Sequence, residues 1–556
     1  MSSQSIGMPI SVAPAPAQVR RTSFVNQAKL IGVLTLLSRI LGMARESVVA
    51  LYFGAGTVSS AFAVAFKVPN LFRKLLGEGA LSAAFIPLYA QAIKTDRREA
   101  DRFAAASVSF LVTLLLAITL VGEAGLFGLT RLIQLRADDL LIVRFTAIML
   151  PYVLMVCTTA FLGGILQVHD RFALPAIAPV LLNLIHIGVI VIGARMLLLQ
   201  TTTGDAKLPM QTRLAYWLAA FVLVAGVMQV AMLLPSLRAI GFTTLWVTRF
   251  WTPAVKRMVK LSVPVALSAG VLQLSVIVDT TISVVLTGKP TEHLHILGWA
   301  FAYPMAPGAV ARLNWAQLLY QFPLGVFAIA LATAFFPTLS AVAMETDRRK
   351  FQQGLHQGIR VALLEGLPAS LGLIIVRYPA IRLLYQHGSF TAEDTMWVAR
   401  STIFFSAAIW AFALQQILNR AYYALHDTMT PLIMSIATMA VNTVVEIPLV
   451  FTKLGESGMA AGTLASFAVQ GIVMLWMLDR RVGGLNMPSL LRSIAKMIIA
   501  CGVMVVVCQF AEKLPGYPHG SGTLSSLAQL AILVTGGGAS YLATCYLLGI
   551  RLKYTG

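Results

Sequence analysis

Charge is what this chain has least of. Only 12% of its 556 residues are Asp, Glu, Lys or Arg, against about 25% in soluble domains, so a water-soluble globular fold is excluded. Acidic side chains are scarcest, 22 Asp and Glu beside 42 Lys and Arg, for a formal net charge of +20. In a soluble protein that excess would point to nucleic acid. Here 58% of the residues are hydrophobic and gather in runs of about 18 or more, the length of a membrane helix. Retention of Lys and Arg in cytoplasmic loops then explains the charge, and no nucleic-acid partner is expected.

Cysteine is also rare. Cys157, Cys501, Cys508 and Cys545 lie in apolar runs without CxxC or Cys/His spacing and read as packing residues. No P-loop, HExxH or GxSxG occurs, the histidines are scattered, and His293-Leu294-His295 is too short for a metal site. An enzyme is therefore not expected, and a nucleotide-driven pump would need a partner chain. A secondary transporter without a cofactor fits better.

What is present is an all-α polytopic membrane protein of about fourteen spans. They fall at 29–53, 60–92, 103–131, 139–167, 172–198, 213–235, 254–286, 312–344, 356–385, 394–424, 430–452, 459–479, 489–510 and 525–549. Basic clusters such as Lys94/Arg97/Arg98/Arg102, Arg348/Arg349/Lys350 and Arg480/Arg481 occupy alternate loops, which places both termini in the cytoplasm. Met1–Gln27, rich in Pro, Ser and Ala, reads as a disordered tail. Thr287–Ala311, with Pro290, Pro304 and Pro307, is a periplasmic loop or a partly re-entrant hairpin.

An internal echo sets the domain plan. AAFIPLYAQAIKTDRR at 83–98 returns as TAFFPTLSAVAMETDRR at 333–349, and His169-Asp170/Pro175 returns as His426-Asp427/Pro431. The offset spans an even number of helices, so the halves are parallel repeats. The expected domains are the tail (1–27), an N-lobe of spans 1–6 (28–250), a C-lobe of spans 7–12 (251–484) and a C-terminal helix pair (485–556).

The few charges inside spans point to the site. A lone charge at bilayer depth costs roughly 2.5–3.5 kcal/mol on insertion scales, so such residues usually face a polar cavity. The first two spans hold Arg39, Arg45, Lys67, Arg73 and Lys74 against Glu46 and Glu78. Lys67, Asn70, Lys74 and Glu78 recur at helical spacing as one polar stripe, with Arg73 about 100° away. Snorkelling or mutual pairing is the alternative. A guanidinium suits phosphate oxygens bidentately, so a phosphate or pyrophosphate is the economical ligand. Asp279, Glu365 and Glu446 fall in spans seven, nine and eleven, and Asp427 at the foot of span eleven. Asp279, Asp427 and Thr443 could supply oxygens for Na⁺, or the acids could carry H⁺; hydrogen-bonded structural acids are the other reading. Glu446, beside Pro448, is expected at the interface.

SRILGMARES at 38–47, FGAG at 53–56, AFKVPNLFRKLLGEGALSAAFIP at 65–87, RFALPAIAPVLLN at 171–183, FFPTLS at 335–340, LLYQHGSFTAEDT at 383–395 and ALHDTMTP at 424–431 together resemble the MurJ/MviN family. These are lipid II flippases of the multidrug/oligosaccharidyl-lipid/polysaccharide exporter superfamily. The resemblance implies a multi-pass protein of the bacterial inner membrane that moves undecaprenyl-pyrophosphate-linked glycopeptide to the outer leaflet by alternating access; a monomer is expected, though no residue pattern fixes the oligomeric state. That transport serves peptidoglycan and cell-wall biogenesis and hence cell shape. It also implies a lipid-tail groove along the last two helices. The family's cavity cations match Arg39, Arg45, Arg73 and Lys74, and its neighbouring acid matches Glu46. Three positions depart from the pattern: Ser60 replaces an Asp, Leu318 an Arg and Gln321 a Glu. The substitutions leave open a multidrug or polysaccharide-lipid exporter of the same superfamily, or a non-transporting paralogue.

Overall fold

A computed structural model of the chain describes residues 17–77, 79–197, 204–244, 246–296, 299–325 and 348–550. The N-lobe opens with α1 (Ala17–Phe53), a tight Gly54–Gly56 turn, and α2 (Thr57–Phe72). Helix thus begins at Ala17, inside the segment expected to be tail. The second span is broken. α2 passes into a π-helical turn at Arg73–Gly77 before α3 (Ala80–Thr95) resumes.

Next come α4 (Arg97–Leu132), α5 (Ala137–Met149) and α6 (Tyr152–Val168), the last two forming a span bent by 44°. Pro151 stands at that bend and cannot donate to the helical ladder. α7 (Ala173–Met196) and α8 (Lys207–Ala239) complete the lobe. The segment expected to form the C-lobe contains α9 (Pro253–Val285), which packs mainly on α3, and α10 (Ala309–Pro323), α11 (Arg348–Leu384), α12 (Ala392–Ala407), α13 (Ile409–Ala424), α14 (Met429–Val450) and α15 (Ser457–Val482). Between α9 and α10, an antiparallel hairpin pairs β1 (His293–Ile296) with β2 (Trp299–Ala302). α16 (Met487–Glu512) and α17 (Thr523–Leu547) pack on each other and on α11, outside both lobes.

Among the described residues, nine helices are long and apolar enough to cross a membrane, and eleven when each bent pair counts as one span. α1, the α2–α3 pair and α10 fall on the remaining expected spans. The second copy of the echo, 333–349, lies almost wholly outside the described residues.

Small residues let the helices approach. A Cβ on Gly462 of α15 would stand 2.7 Å from the Glu446 Cβ of α14, and one on Gly226 of α8 2.7 Å from the Tyr152 ring of α6. The largest buried cluster runs through both lobes, with Phe85, Phe145 and Phe161 on one side and Trp315, Tyr385 and Phe405 on the other. Beside it, the stretch around FGAG meets the LLYQHGSFTAEDT motif. The Ser389 N–H donates to the Leu51 carbonyl at 2.8 Å, and the Ser389 hydroxyl to the Tyr52 carbonyl at 3.1 Å. Gln211 donates to the Tyr52 and Phe53 carbonyls at 2.7 and 3.1 Å, so the orphan carbonyls ending α1 are met from both lobes.

Gly54 (φ +62°) and Gly388 (φ +58°) are left-handed there. Added Cβ atoms would stand 2.3 Å from the Ser389 oxygen and 2.5 Å from the Leu51 oxygen, respectively. Only glycine combines that backbone with that contact. This end of the molecule is sealed by backbone against backbone.

Candidate functional site

Two adjoining cavities lie between the expected lobes, and the first reaches up to Ser59, whose hydroxyl donates to the Gly54 carbonyl at 2.7 Å. One of about 570 Å³ is lined by Arg45, Glu46, Lys67, Asn70, Arg73 and Lys74 from the N-lobe and by Gln273, Trp315, Leu318 and Gln321 from the C-lobe. The other, about 760 Å³, adds Arg39 and extends toward Asp279, Gln415, Asn442 and Gln470. Arg45, Glu46, Lys74, Gln273, Leu318 and Gln321 line both, so they form one continuous space.

Adjacent side chains on a helix diverge by about 100°, and the π turn narrows that only slightly. Yet Arg73 and Lys74 both reach the cavity, which is wide enough to take in both faces. The turn sits where Gly77 is pressed on α6; a Cβ there would be 3.2 Å from the Ala160 Cβ. Glu78, the acid expected to pair with Lys74, lies outside the described residues.

Arg45 is held from three directions. One terminal nitrogen donates to Glu46 at 2.5 Å, the other to the Asn183 amide oxygen at 3.2 Å, and the guanidinium stands 5.4 Å from the Phe66 ring centroid. Asn183 also donates to the Ser38 carbonyl at 3.2 Å. The second Glu46 oxygen accepts from the Trp315 indole N–H at 3.2 Å, which ties α1 to α10 across the lobes. Arg39 packs on the end of α10, where a Cβ on Gly325 would stand 2.1 Å from its guanidinium. Among the described residues, Glu46 is the acid set among Arg39, Arg45, Arg73 and Lys74, and Asp279 stands at the far side of the same space near Lys67. A polyanion with planar oxygen groups would find charge and donors there.

Among the described residues, the C-lobe wall carries no cation. Leu318 and Gln321 face the cavity at the positions where the resemblance implies Arg and Glu. Arg312 does not replace the missing cation. It is buried in a bidentate pair with Glu456 at 2.7 and 3.0 Å, with Asp394 at 3.6 Å. Ser60, the third departure, accepts the Ala311 backbone N–H at 3.3 Å at the start of α10.

The expected ion cluster is rearranged. Asp279 accepts from the Asn442 amide at 3.0 Å, and the same amide donates to Glu446 at 2.9 Å; Ser466 donates to Asn442 at 3.3 Å. Glu446 is not interfacial but 1% exposed, and one of its oxygens has no hydrogen-bond partner among the described residues. Asp427 is elsewhere. Asn442 lies about four turns along α14 from it, about 20 Å at 1.5 Å per residue. Asp427 instead accepts from the Thr430 N–H and hydroxyl at 2.9 and 2.7 Å and pairs with Arg481. Burial opposes its charge, but these bonds outweigh it and hold the carboxyl below its ordinary range. Asn442, not Thr443, is the α14 residue that reaches Asp279. Glu365 is half-buried on α11, with one oxygen unpartnered among the described residues.

Lys67 joins the two regions. It donates to the Thr280 hydroxyl at 3.2 Å and lines both the central cavity and a small space of about 60 Å³ shared with Asp279 and Glu446. Sequence reasoning placed Lys67 on the polar stripe but not beside the acids. It also missed Asn183, Asn442 and Trp315. Asn183 ends one of the quoted motifs, a usable signal; a Trp inside an apolar helix gives none.

Comparison with known proteins follows from this geometry. A family model described as lipid II flippase MurJ matches residues 49–525. A protein of Rhizobium tropici named "Probable lipid II flippase MurJ" is 32% identical over 541 residues, covering 95% of each chain. The lipid II flippase MurJ of Burkholderia cenocepacia is 31% identical over 470 residues, covering 82% of this chain and 83% of its own. Among solved structures, lipid II flippase MurJ in an inward closed conformation superposes with a TM-score of 0.70 at 22% identity, over 94% of this chain and 100% of that one. An inward-facing MATE family transporter of the MOP superfamily gives 0.63 at 16% identity, over 83% and 99%.

Proposed function

Because this chain belongs to the lipid II flippase MurJ family, we propose that it carries lipid II from the inner to the outer leaflet of the bacterial cytoplasmic membrane, by alternating access, for peptidoglycan synthesis. The observation that carries this reading is the one-sided cationic wall. Among the described residues, Arg39, Arg45, Lys67, Arg73 and Lys74 line the space from one side, with Glu46 between them and Asp279 beyond. A pyrophosphate supplies the charge and the paired oxygens that such a wall is suited to hold.

The polar C-lobe wall with Gln273, Gln415 and Gln470 would face the sugar and peptide. The apolar flank of α16 and α17 would face the polyprenyl tail. Both termini lie in the cytoplasm, and the sealed Gly54/Gly388 end is then the outer end. Substrate enters from the cytoplasmic side, and reversal of the seal releases it outward. The described lining of the cavity comes from one chain, which supports a monomer as the working unit. The protein transports without chemical conversion of its cargo.

Energy would enter at the Asp279–Asn442–Glu446 cluster. Two carboxyl groups bridged by one amide, with one oxygen unpartnered, have the donor set for Na⁺ or a proton. Lys67, hydrogen-bonded beside Asp279, would relay the cluster's charge state to the substrate wall. The neutral Leu318/Gln321 wall favours one competing reading, an exporter of another lipid-linked polysaccharide. Complementation separates them. Expression of this chain during depletion of a bacterium's own lipid II flippase should restore wall synthesis and cell shape; lysis despite membrane accumulation of the chain would sink the lipid II reading.

A further inference from the structure

A third cavity, about 500 Å³, opens between α11, the α15–α16 turn and the C-terminal end of α17, and shares no residue with the central space. Gln352, His356 and Arg360 recur every four residues along α11 and so present one polar face to it. The facing wall is backbone. Gly483, Gly484 and Asn486 adopt φ of +83°, +102° and +51°, a left-handed course that turns the chain under α11.

That turn is built rather than loose. The Asp479 carboxylate accepts the Leu485 N–H at 2.6 Å, its carbonyl accepts the Gly484 N–H at 2.9 Å, and Gln352 donates to the Val482 carbonyl at 2.6 Å. Lys496 closes the neighbouring end of α17 by donating to the Leu548 carbonyl at 2.7 Å.

The chemistry of the lining is one-sided. Among the described residues, no Asp or Glu lines the cavity. Arg360 Nε, always a donor, and His356 Nε2 are buried and have no hydrogen-bond partner among the described residues. A buried donor without an acceptor is costly, so this wall suits acceptors arriving from outside. Its surroundings indicate their source. Leu491 on α16 and Tyr546 and Leu547 on α17 are exposed apolar side chains flanking this end of the bundle. Arg349, Lys350, Arg480, Arg481 and Arg492 crowd the same end of the sequence elements. An apolar flank under a basic rim is where an anionic leaflet meets a membrane protein.

We propose that this cavity binds the phosphate of an anionic phospholipid headgroup, with Arg360 as its main ligand, His356 as a second donor, and the acyl chains starting at Leu491, Tyr546 and Leu547 on the ends of α16 and α17 nearest the cavity, leaving the rest of that flank to the polyprenyl tail. The shared chemistry is a phosphate ester or ion; the apolar flank assigns it to a lipid. The site does not depend on what the central cavity carries.

The test is native mass spectrometry of the full-length protein in detergent, titrated separately with phosphatidylglycerol, phosphatidylcholine and inorganic phosphate. The wild-type chain should retain phosphatidylglycerol in preference to phosphatidylcholine. Arg360→Gln should weaken that retention by about tenfold or more, the loss of a charge-assisted hydrogen bond. Arg360→Lys should fall between, keeping charge without the planar fork. Gln353→Glu places an acid at the exposed mouth without touching packing and should weaken retention by repulsion; it keeps the test decisive if Arg360→Gln fails to fold. Equal retention of phosphatidylglycerol by wild type and Gln353→Glu overturns the site. Retention of inorganic phosphate as tight as that of the lipid overturns the lipid assignment.

Discussion

Arg45 shows how one cation of the cavity wall is fixed in place. Glu46, Asn183 and Phe66 fix its plane, while Glu46 is shared with Trp315. Replacing Arg45, Arg39 or Arg73 with Ala should lower flipping by about tenfold or more, the worth of a charge-assisted contact. Membrane accumulation should stay near wild type, as read by immunoblot beside a vesicle transport assay. Lys at these positions should rescue in part. Full activity in all three Ala variants would remove the clamp. Leu318→Arg asks about the opposite wall: activity that is kept or raised supports the family's own cargo, and its loss points to another. Asp279→Asn, assayed for dependence of transport on Na⁺ and on pH, should flatten that dependence. An unchanged ion response would leave Asp279 a structural acid bonded to Asn442.

At the scale of elements, most spans were legible because long apolar runs leave few alternatives to a buried helix. α7, α14 and α16 begin and end near the expected limits. The π turn at Arg73–Gly77 was not legible. It follows from Gly77 closing on α6, a tertiary contact that no periodicity in the second span encodes. The same holds for Glu446. Pro448 suggested a helix end, yet the close approach allowed by Gly462 buries the carboxyl against α15.

Asp427, which joined the ion cluster only on paper, instead anchors the foot of α14. Its folded pKa is depressed, so its stabilisation is present above the unfolded value, about 3.9. That stabilisation is lost as pH falls through the folded value. Asp427→Asn should therefore melt below wild type at pH 7 in detergent. The gap should narrow as pH drops below about 4. A gap that persists undiminished in acid would assign the effect to shape rather than charge.

For the molecule as a whole, the two lobes meet in unlike ways along their length. At one end backbone contacts backbone at Gly54, Gly388 and Ser389; around the cavity the links are single polar bonds, Trp315–Glu46 and Lys67–Thr280. A seal of that kind is all-or-none, because a glycine contact that close has no partly opened form with the same bonds. Alternating access requires it to part. Ala55 and Pro307 flank the seal, since a Cβ on Gly308 would stand 2.0 Å from the Ala55 oxygen. Cysteines at these two positions, with the buried Cys157, Cys501, Cys508 and Cys545 replaced, should therefore be joined by a short bifunctional maleimide. Joining them should stop transport, and a cleavable linker should restore it on reduction. The same cysteine-free background reads the topology: Arg97→Cys and Arg349→Cys should label from the cytoplasmic side alone. Transport that continues with the bridge in place would mean that the Gly54/Gly388 contact is a fixed joint, and that the cargo leaves by a route that never opens this end.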